Sequence, residues 1–370
     1  MSRSMTIGKV IQLFEDWVPK ELASDWDNVG LQIGSLTTPV KNILVTLDVT
    51  ELTIDEAIEN EVNLIISHHP LLFKSLKSID YNDPQGKLIQ QIIKNDLSVY
   101  SAHTNLDIAP GGVNDLLAEK LSLQNIEILV PQREESFYKL LINVPESHLE
   151  NVNQALTDVG VGRLGDYKDC SFRVKGTGTF TPTSEADPYI GEKNKQEFVD
   201  EVRIDYLLPK KLITKAIDAL LEAHPYEEPA YDLIELKNQG EIFGLGRIGV
   251  LPKELTLKEL ALQLKELFKL GGLRVTGALD KKVSKVAVLG GSGEKYYHYA
   301  QRQNADVYIT GDVTFHQAQD AEQAGLSIID PGHHIESIMI EAVANYLREN
   351  VPNKTEVIQT EFSTEPFKFL

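Results

Sequence analysis

Leu64-Ile65-Ile66-Ser67-His68-His69-Pro70 is a short, continuously apolar run that ends abruptly in two histidines. A run of that length without alternation predicts a strand buried on both faces, as in a parallel sheet covered by helices. Pro70 closes it, because proline cannot continue a central strand and biases the residue before it toward extended geometry. Neighbouring strand residues face opposite ways, so His68 and His69 can serve one site only where the strand has ended and the chain turns. Two further strings have the same character. Ser101-Ala102-His103-Thr104-Asn105-Leu106-Asp107 again runs from a strand into polar residues, and Gly332-His333-His334-Ile335-Glu336 opens what reads as a helix. Of the chain's 9 histidines, five lie in these three strings. Imidazole is the commonest ligand of transition metals, and a carboxylate beside it can join two ions. The strings point to one metal centre assembled by the fold.

Outward from this strand the pattern alternates. Lys41–Val49 and Val99–Ala102 are expected strands, and Leu52–Asn60, Gly86–Asn95 and Val113–Leu121 expected helices. The rhythm returns from Val283, with strands at Lys285–Leu289, Val307–Thr310 and Ser327–Ile329 and helices at Lys295–Gln303, Phe315–Ala324 and His334–Leu347. Both stretches place their polar clusters directly after strands, where open α/β sheets gather ligands. Between them the order is β-α-β-β-α-β: strand Phe137–Val144, helix Glu146–Val159, strands Phe172–Phe180 and Val199–Leu208, helix Lys211–Ala223, strand Ala230–Leu236. That is the ferredoxin-like order. The expected fold class is α/β, a two-part α/β domain (residues 1–130 and 240–370) carrying an inserted ferredoxin-like domain (131–239).

At 370 residues the chain exceeds the usual single-domain range, and burying a full core poses no difficulty. With 42% hydrophobic and 25% charged residues it has the composition of an ordinary soluble protein. A formal charge of −19 argues against a general nucleic-acid or anionic-membrane surface, which needs clustered Lys and Arg. The single cysteine, Cys170, excludes an intramolecular disulfide and thiolate-based structural zinc. Met1–Met5 lead into an amphipathic segment with Glu15 and Asp16 rather than a signal sequence, and no apolar run approaches membrane-spanning length. The expected location is the cytoplasm.

Several residues could carry chemistry. Asp107 can ligate a metal or cap the helix near Val113; Pro110-Gly111-Gly112 separate it from that helix, and Asn114 and Asp115 lie nearer, which weakens the capping role. His103 can be a ligand, a partner that orients a carboxylate or water, or a general acid/base. With five other ligand-type side chains at hand, the last two roles are preferred. His333 and Glu336 stand three apart, on one helical face, and Glu336 suits a bridge between two ions. A helix N-terminus also favours Glu336 through its dipole alone. His334 points about 100° away on a helix and is not placed in the site. Gly290-Gly291-Ser292-Gly293 follows a strand and can present N–H groups to phosphate or simply form a tight turn. Asp312 can cap a helix, with His316 either facing solvent or touching substrate. His224-Pro225-Tyr226-Glu227-Glu228-Pro229 reads as a turn or an edge. No Gly-x-Ser-x-Gly elbow occurs and Cys170 has no nearby histidine, so covalent nucleophilic catalysis has no support.

Asp25-Trp26-Asp27-Asn28-Val29-Gly30-Leu31-Gln32-Ile33-Gly34, taken with the His68-His69, His103–Asp107, Gly290–Gly293 and Gly332–Glu336 strings, resembles the GTP cyclohydrolase 1 type 2 homologues, also called the Nif-three-like dinuclear metal-binding family. The resemblance covers nearly the whole chain. Gly176-Thr177-Gly178-Thr179-Phe180 and the His224–Pro229 string resemble the central PII/CutA-like domain of long bacterial members. The resemblance implies a Nif-three-like α/β domain with a PII/CutA-like insert, assembled as a toroidal homohexamer. It implies two divalent metal ions per chain, held by His68, His69, Asp107, His333 and Glu336, with helical geometry favouring His333 over His334. Zinc is the expected ion; manganese, iron, cobalt and nickel also suit mixed imidazole and carboxylate ligands. The expected activity is metal-dependent hydrolysis of a nucleotide or phosphorylated small molecule, an anionic substrate, with His103 as proton carrier. The alternative is a non-enzymatic metal-dependent regulatory or metal-handling ring with a PII-like sensor.

Overall fold

The structure, a computed structural model, describes residues 5–370. The expected absence of a leader at residues 1–4 lies outside the described residues. Two compact units emerge. One runs up to Arg133 and resumes at Phe243–Leu370; the other is Glu134–Ile242.

In the first unit, α1 (Ile7–Trp17) buries Ile7, Val10, Ile11 and Phe14 at helical spacing, and the Thr6 hydroxyl caps it by accepting the Lys9 N–H. Then come β1 (Gly30–Ile33), β2 (Asn42–Thr46), α2 (Glu51–Glu59), β3 (Val62–Ser67), α3 (Pro84–Lys94), β4 (Ser98–Ser101), the single-turn α4 (Thr104–Ile108), α5 (Val113–Lys120) and β5 (Gln124–Glu134). Every residue of β3 is buried, the structural counterpart of its unbroken apolar run. Asp107 sits within α4, ahead of the Pro110–Gly112 break and the helix near Val113.

The second unit consists of β6 (Phe137–Pro145), α6 (Leu149–Asp158), β7 (Phe172–Phe180), β8 (Glu197–Pro209), α7 (Ile213–Ala223) and β9 (Tyr231–Glu235). Its antiparallel sheet has the order β7-β8-β6-β9. Alternate residues Leu140, Ile142 and Val144 of β6 and Val202, Ile204 and Tyr206 of β8 pack on Val152 and Leu156 of α6 and Ala216 and Leu220 of α7.

The first unit resumes with β10 (Ile242–Thr256), α8 (Leu257–Leu267), β11 (Arg274–Val275), β12 (Lys282–Val288), α9 (Tyr297–Arg302), β13 (Val307–Ile309), α10 (Phe315–Gln323), β14 (Ser327–Asp330), α11 (Met339–Asn350) and β15 (Val357–Gln359). One sheet has the order β1-β4-β3-β2-β15, parallel except for β1. The other is β11-β14-β13-β12-β10-β5, with β12, β13 and β14 parallel. A single core joins them, with Phe14, Tyr100, Leu106, Val113, Val288 and Met339 among its fully buried members. Among the described residues, no helix is long and apolar enough to cross a membrane.

Candidate metal centre

The carboxyl ends of the parallel strands in both sheets supply the site, as the α/β rule expects. β3 releases His68 and His69, β4 releases His103 and then α4 with Asp107, and β2 is followed by Asp48. From the other sheet, β12 leads to the Gly290-Gly291 turn, β13 to Asp312, and β14 to a 3₁₀ turn, His333–Ile338, that holds Glu336. Both adjacent histidines reach the centre because the chain leaves the sheet after Ser67, whose hydroxyl donates to His69 O at 3.0 Å. At His333 and Glu336 the expected helix start is a 3₁₀ turn, in which residues three apart eclipse one another, so both still point the same way.

Four imidazoles share one arrangement, with Nδ1–H bonded outward. His68 Nδ1 donates to Ala102 O (2.8 Å), His69 to Asp48 Oδ1 (2.6 Å), His103 to Asp27 Oδ1 (3.0 Å) and His333 to Asp312 Oδ2 (2.6 Å). Such outer acceptors fix ring orientation and tautomer, leaving the other nitrogen as a lone-pair donor. Sequence reasoning did not assign Asp27 or Asp48 these roles; their only signals were a place in the Asp25–Gly34 string and a position just after a strand. Asp312, expected as a helix cap, instead orients His333 and adopts a left-handed conformation (φ 56°) to do so.

Glu336 Oε2 is the hub. It lies 3.1 Å from His69 Nε2, 3.2 Å from His333 Nε2 and 3.7 Å from His68 Nε2. His68 Nε2 is also 3.6 Å from Asp107 Oδ1. Three groups whose donor atoms lie within 4.8 Å of one another overlap here: His68, Asp107 and Glu336; His69, His333 and Glu336; His68, His69 and His103. These side chains could bind metal ions. Two of their atoms, His68 Nε2 and Asp107 Oδ1, are buried with no hydrogen-bond partner. An unsatisfied buried polar group costs about 1–3 kcal/mol. Facing lone pairs of this kind fit a cation, which satisfies both at once.

The glycine turn explains itself at this point. A Cβ on Gly291 would fall 2.4 Å from Glu336 Oε1, so glycine permits the backbone to approach the carboxylate. Gly290 N–H donates to Asn114 Oδ1 (3.0 Å) and Gly293 N–H to Thr310 Oγ1 (2.9 Å), so two of its donors serve the protein. Asn114 Nδ2 in turn donates to Asp107 O (2.9 Å), tying the α4 side of the site to the glycine turn.

Without an ion, protons balance the cluster. Burial pushes the Asp107 carboxyl up to about 8, helped by the Glu336 charge. Burial also opposes the Glu336 charge, but the surrounding His333, His68 and His69 rings outweigh it and hold the carboxyl well below its usual range. His69 is desolvated, yet bonds to Asp48 and Glu336 raise it to about 10. The Glu336 bond, against burial, raises His333 to about 9. The Nε2 atoms of His69 and His333 are 3.2 Å apart, so two charged rings there repel, a repulsion that a cation in place of the protons would relieve. Asp27 is desolvated, but His103 and Thr104 bring it down to about 2.

A cleft of about 690 Å³ opens onto the centre, lined by Asp48, His69, Phe73, His103, His333 and Phe367. Trp26 (59% exposed) and Phe73 (51%) stand edge-on to His103, and Phe73 also lines the cleft. His334 lies on the cleft wall, within 3.4 Å of Ser363 Oγ, and His316 is exposed on α10; neither joins a converging group.

Two α/β sheets closing on a histidine–carboxylate centre define the class of protein, and sequence comparison agrees. The family Duf34/NIF3 (NGG1p interacting factor 3) matches residues 5–366, and the chain belongs to it. A Bacillus subtilis protein named GTP cyclohydrolase 1 type 2 homolog is 48% identical across 100% of both chains. The crystal structure of a Bacillus cereus protein related to NIF3 superposes with a TM-score of 0.92 at 47% identity over 100% of both chains. That of Staphylococcus aureus protein SA1388 gives 0.79 at 32% identity, again over 100% of both.

Proposed function

We propose that the site holds two divalent ions and hydrolyses a nucleotide or phosphorylated small molecule. The carrying observation is that two converging triads, His68–Asp107–Glu336 and His69–His333–Glu336, share one carboxylate. In this reading His68, His69, Asp107, His333 and Glu336 are the ligands and Glu336 bridges. When bound, such a pair of ions lowers the pKa of water and supplies positive charge to an attacked anionic centre. The two ligand carboxylates leave a local surplus of positive charge, which favours an anionic substrate despite the chain's overall −19. In this reading His103 moves a proton at Nε2 while Asp27 accepts its Nδ1–H, and Thr104 fixes Asp27 from its N–H and hydroxyl (3.0 and 2.6 Å). Phe73 and Phe367 give the cleft an apolar side.

The name carried by the Bacillus subtilis relative makes GTP a first substrate to try. The same reading takes the second unit as a ferredoxin-like domain of the PII/CutA kind, supported by its β-α-β-β-α-β order, and the assembly as a homohexamer. Light scattering that returned the 41.3 kDa chain mass would reject the latter. The function is tested by elemental analysis after reconstitution with zinc or manganese, followed by a screen of nucleotides and phosphoesters. His103→Ala should slow the reaction found by about 10²–10⁴-fold while metal content stays constant. Loss of metal in that variant would make His103 a ligand instead. Absence of turnover at every metal loading would favour a metal-handling or regulatory protein.

A further inference from the structure

The second unit has a cleft of its own, about 560 Å³, within the usual size range of small-molecule sites. Three aromatic rings stand in it. Phe180 and Tyr189 lie with ring centroids 5.9 and 6.4 Å from that of Tyr226. Tyr226 is fixed rather than loose: its N–H donates to His224 Nδ1 (3.1 Å), and its hydroxyl donates to Glu201 Oε1 (3.0 Å). His224 is itself held by donating from Nε2 to Asn143 O at 2.9 Å, which gives the His224–Pro229 string its role as the cleft's supporting turn.

Charge in the cleft has one sign. Glu185, Glu201, Glu227 and Glu228 line it, and no Lys, Arg or His does. An anionic ligand such as a nucleotide would find no counter-charge there. Nor is this the geometry of a bound metal ion: among the described residues, the converging sets of three ligand-type side chains all lie in the first unit. Carboxylates spread around an aromatic wall suit an elongated organic cation, whose ammonium groups pair with separate carboxylates. Aromatic faces attract such groups and pack against the methylenes between them.

We infer that this cleft is a binding site for a polyamine-type organic cation, held by the rings of Phe180, Tyr189 and Tyr226 and by the carboxylates of Glu201, Glu227 and Glu228. The inference stands apart from the metal reading, since every residue it uses belongs to the second unit. Spermidine is the probe, titrated calorimetrically into the full chain at physiological salt. Saturable binding at one site per chain is expected. Tyr226→Leu should weaken it roughly tenfold or more, with the exposed pair Glu227→Gln/Glu228→Gln doing the same, the amide oxygen at position 227 keeping an acceptor for the Asp187 N–H. Tyr226→Phe keeps the ring and should retain most of the affinity. Because the whole chain is acidic, Glu59→Gln/Glu61→Gln in the first unit serves as the charge-matched control and should leave binding unchanged. Absence of saturable binding, equal loss in the control, or undiminished binding in the cleft variants overturns the inference. So does magnesium displacing spermidine at equal concentration, which would make the carboxylates a simple cation sink.

Discussion

The two strand triplets of the first unit, β2-β3-β4 and β12-β13-β14, are built alike but contribute differently. The former supplies three imidazoles and a buried aspartate, with His68 fully enclosed. The latter supplies one more exposed imidazole, His333, and the hub carboxylate, both on a 3₁₀ turn entered through Gly332 at φ 87°. The first triplet is therefore the buried floor of the site and the second its closing side. Nearly every shared distance passes through Glu336, which makes that side the smaller in donor count and the larger in consequence.

Glu336→Gln tests this asymmetry most strongly. Both triads lose their common charge, so at least one of the two ions proposed above should disappear on elemental analysis, whereas His333→Ala touches one triad and should cost less. Retention of both ions in Glu336→Gln would remove the hub from the comparison. Next in size is Asn114→Ala, which cuts the tie between the triplets. It strands the Gly290 N–H and Asp107 C=O, at about 1–3 kcal/mol for each buried group left unsatisfied. Chemical denaturation should show that loss, and an unchanged midpoint would mean the two sides are not joined there. Asp48→Asn and Asp312→Asn compare the outer acceptors of the two sides. Each should lower metal affinity by about 10–100-fold, and more for Asp48, because His69 lies in two of the three converging groups.

A last test is in pH. His69 and His333 are raised from 6.5 to about 10 and about 9 in the folded, metal-free protein, so the stability they confer is fully present below pH 6.5. It is lost as pH climbs through 9 to 10. Asp107, raised from 3.8 to about 8, acts in the same direction: its contribution is fully present below pH 3.8 and is lost as pH rises through 8, where the buried carboxyl must ionise. The metal-free Tm should therefore fall between pH 6.5 and 10, and bound zinc should flatten the decline by replacing the protons. A flat metal-free curve would contradict the proton-balanced cluster.

Residue strings exposed the floor of the site more readily than its supports. A strand that ends in His-His-Pro is legible because apolar runs and proline act locally, and β3 and α5 lie within two residues of expectation. The five-residue α4 is not, since so short a helix is set by tertiary packing rather than propensity. β15 was missed for the same reason: three residues become a strand only through pairing with β2. Asp27 and Asp48 resemble any surface aspartate until the fold brings a histidine to each. Gly291 could be marked as a turn, but its closeness to Glu336 depends on a carboxylate 45 positions away.

His69 and Glu336 meet across 267 positions of chain. At synthesis rates of about 5–20 residues per second, the ribosome makes these two donors roughly 13–50 s apart. A growing polypeptide thus displays three imidazoles well before their carboxylate partner exists. The outer neighbour of β2 arrives later still, in β15. Closure of the centre is thus a late event in the synthesis of each molecule, and any ion the site takes up meets its full set of donors only once the chain is nearly complete.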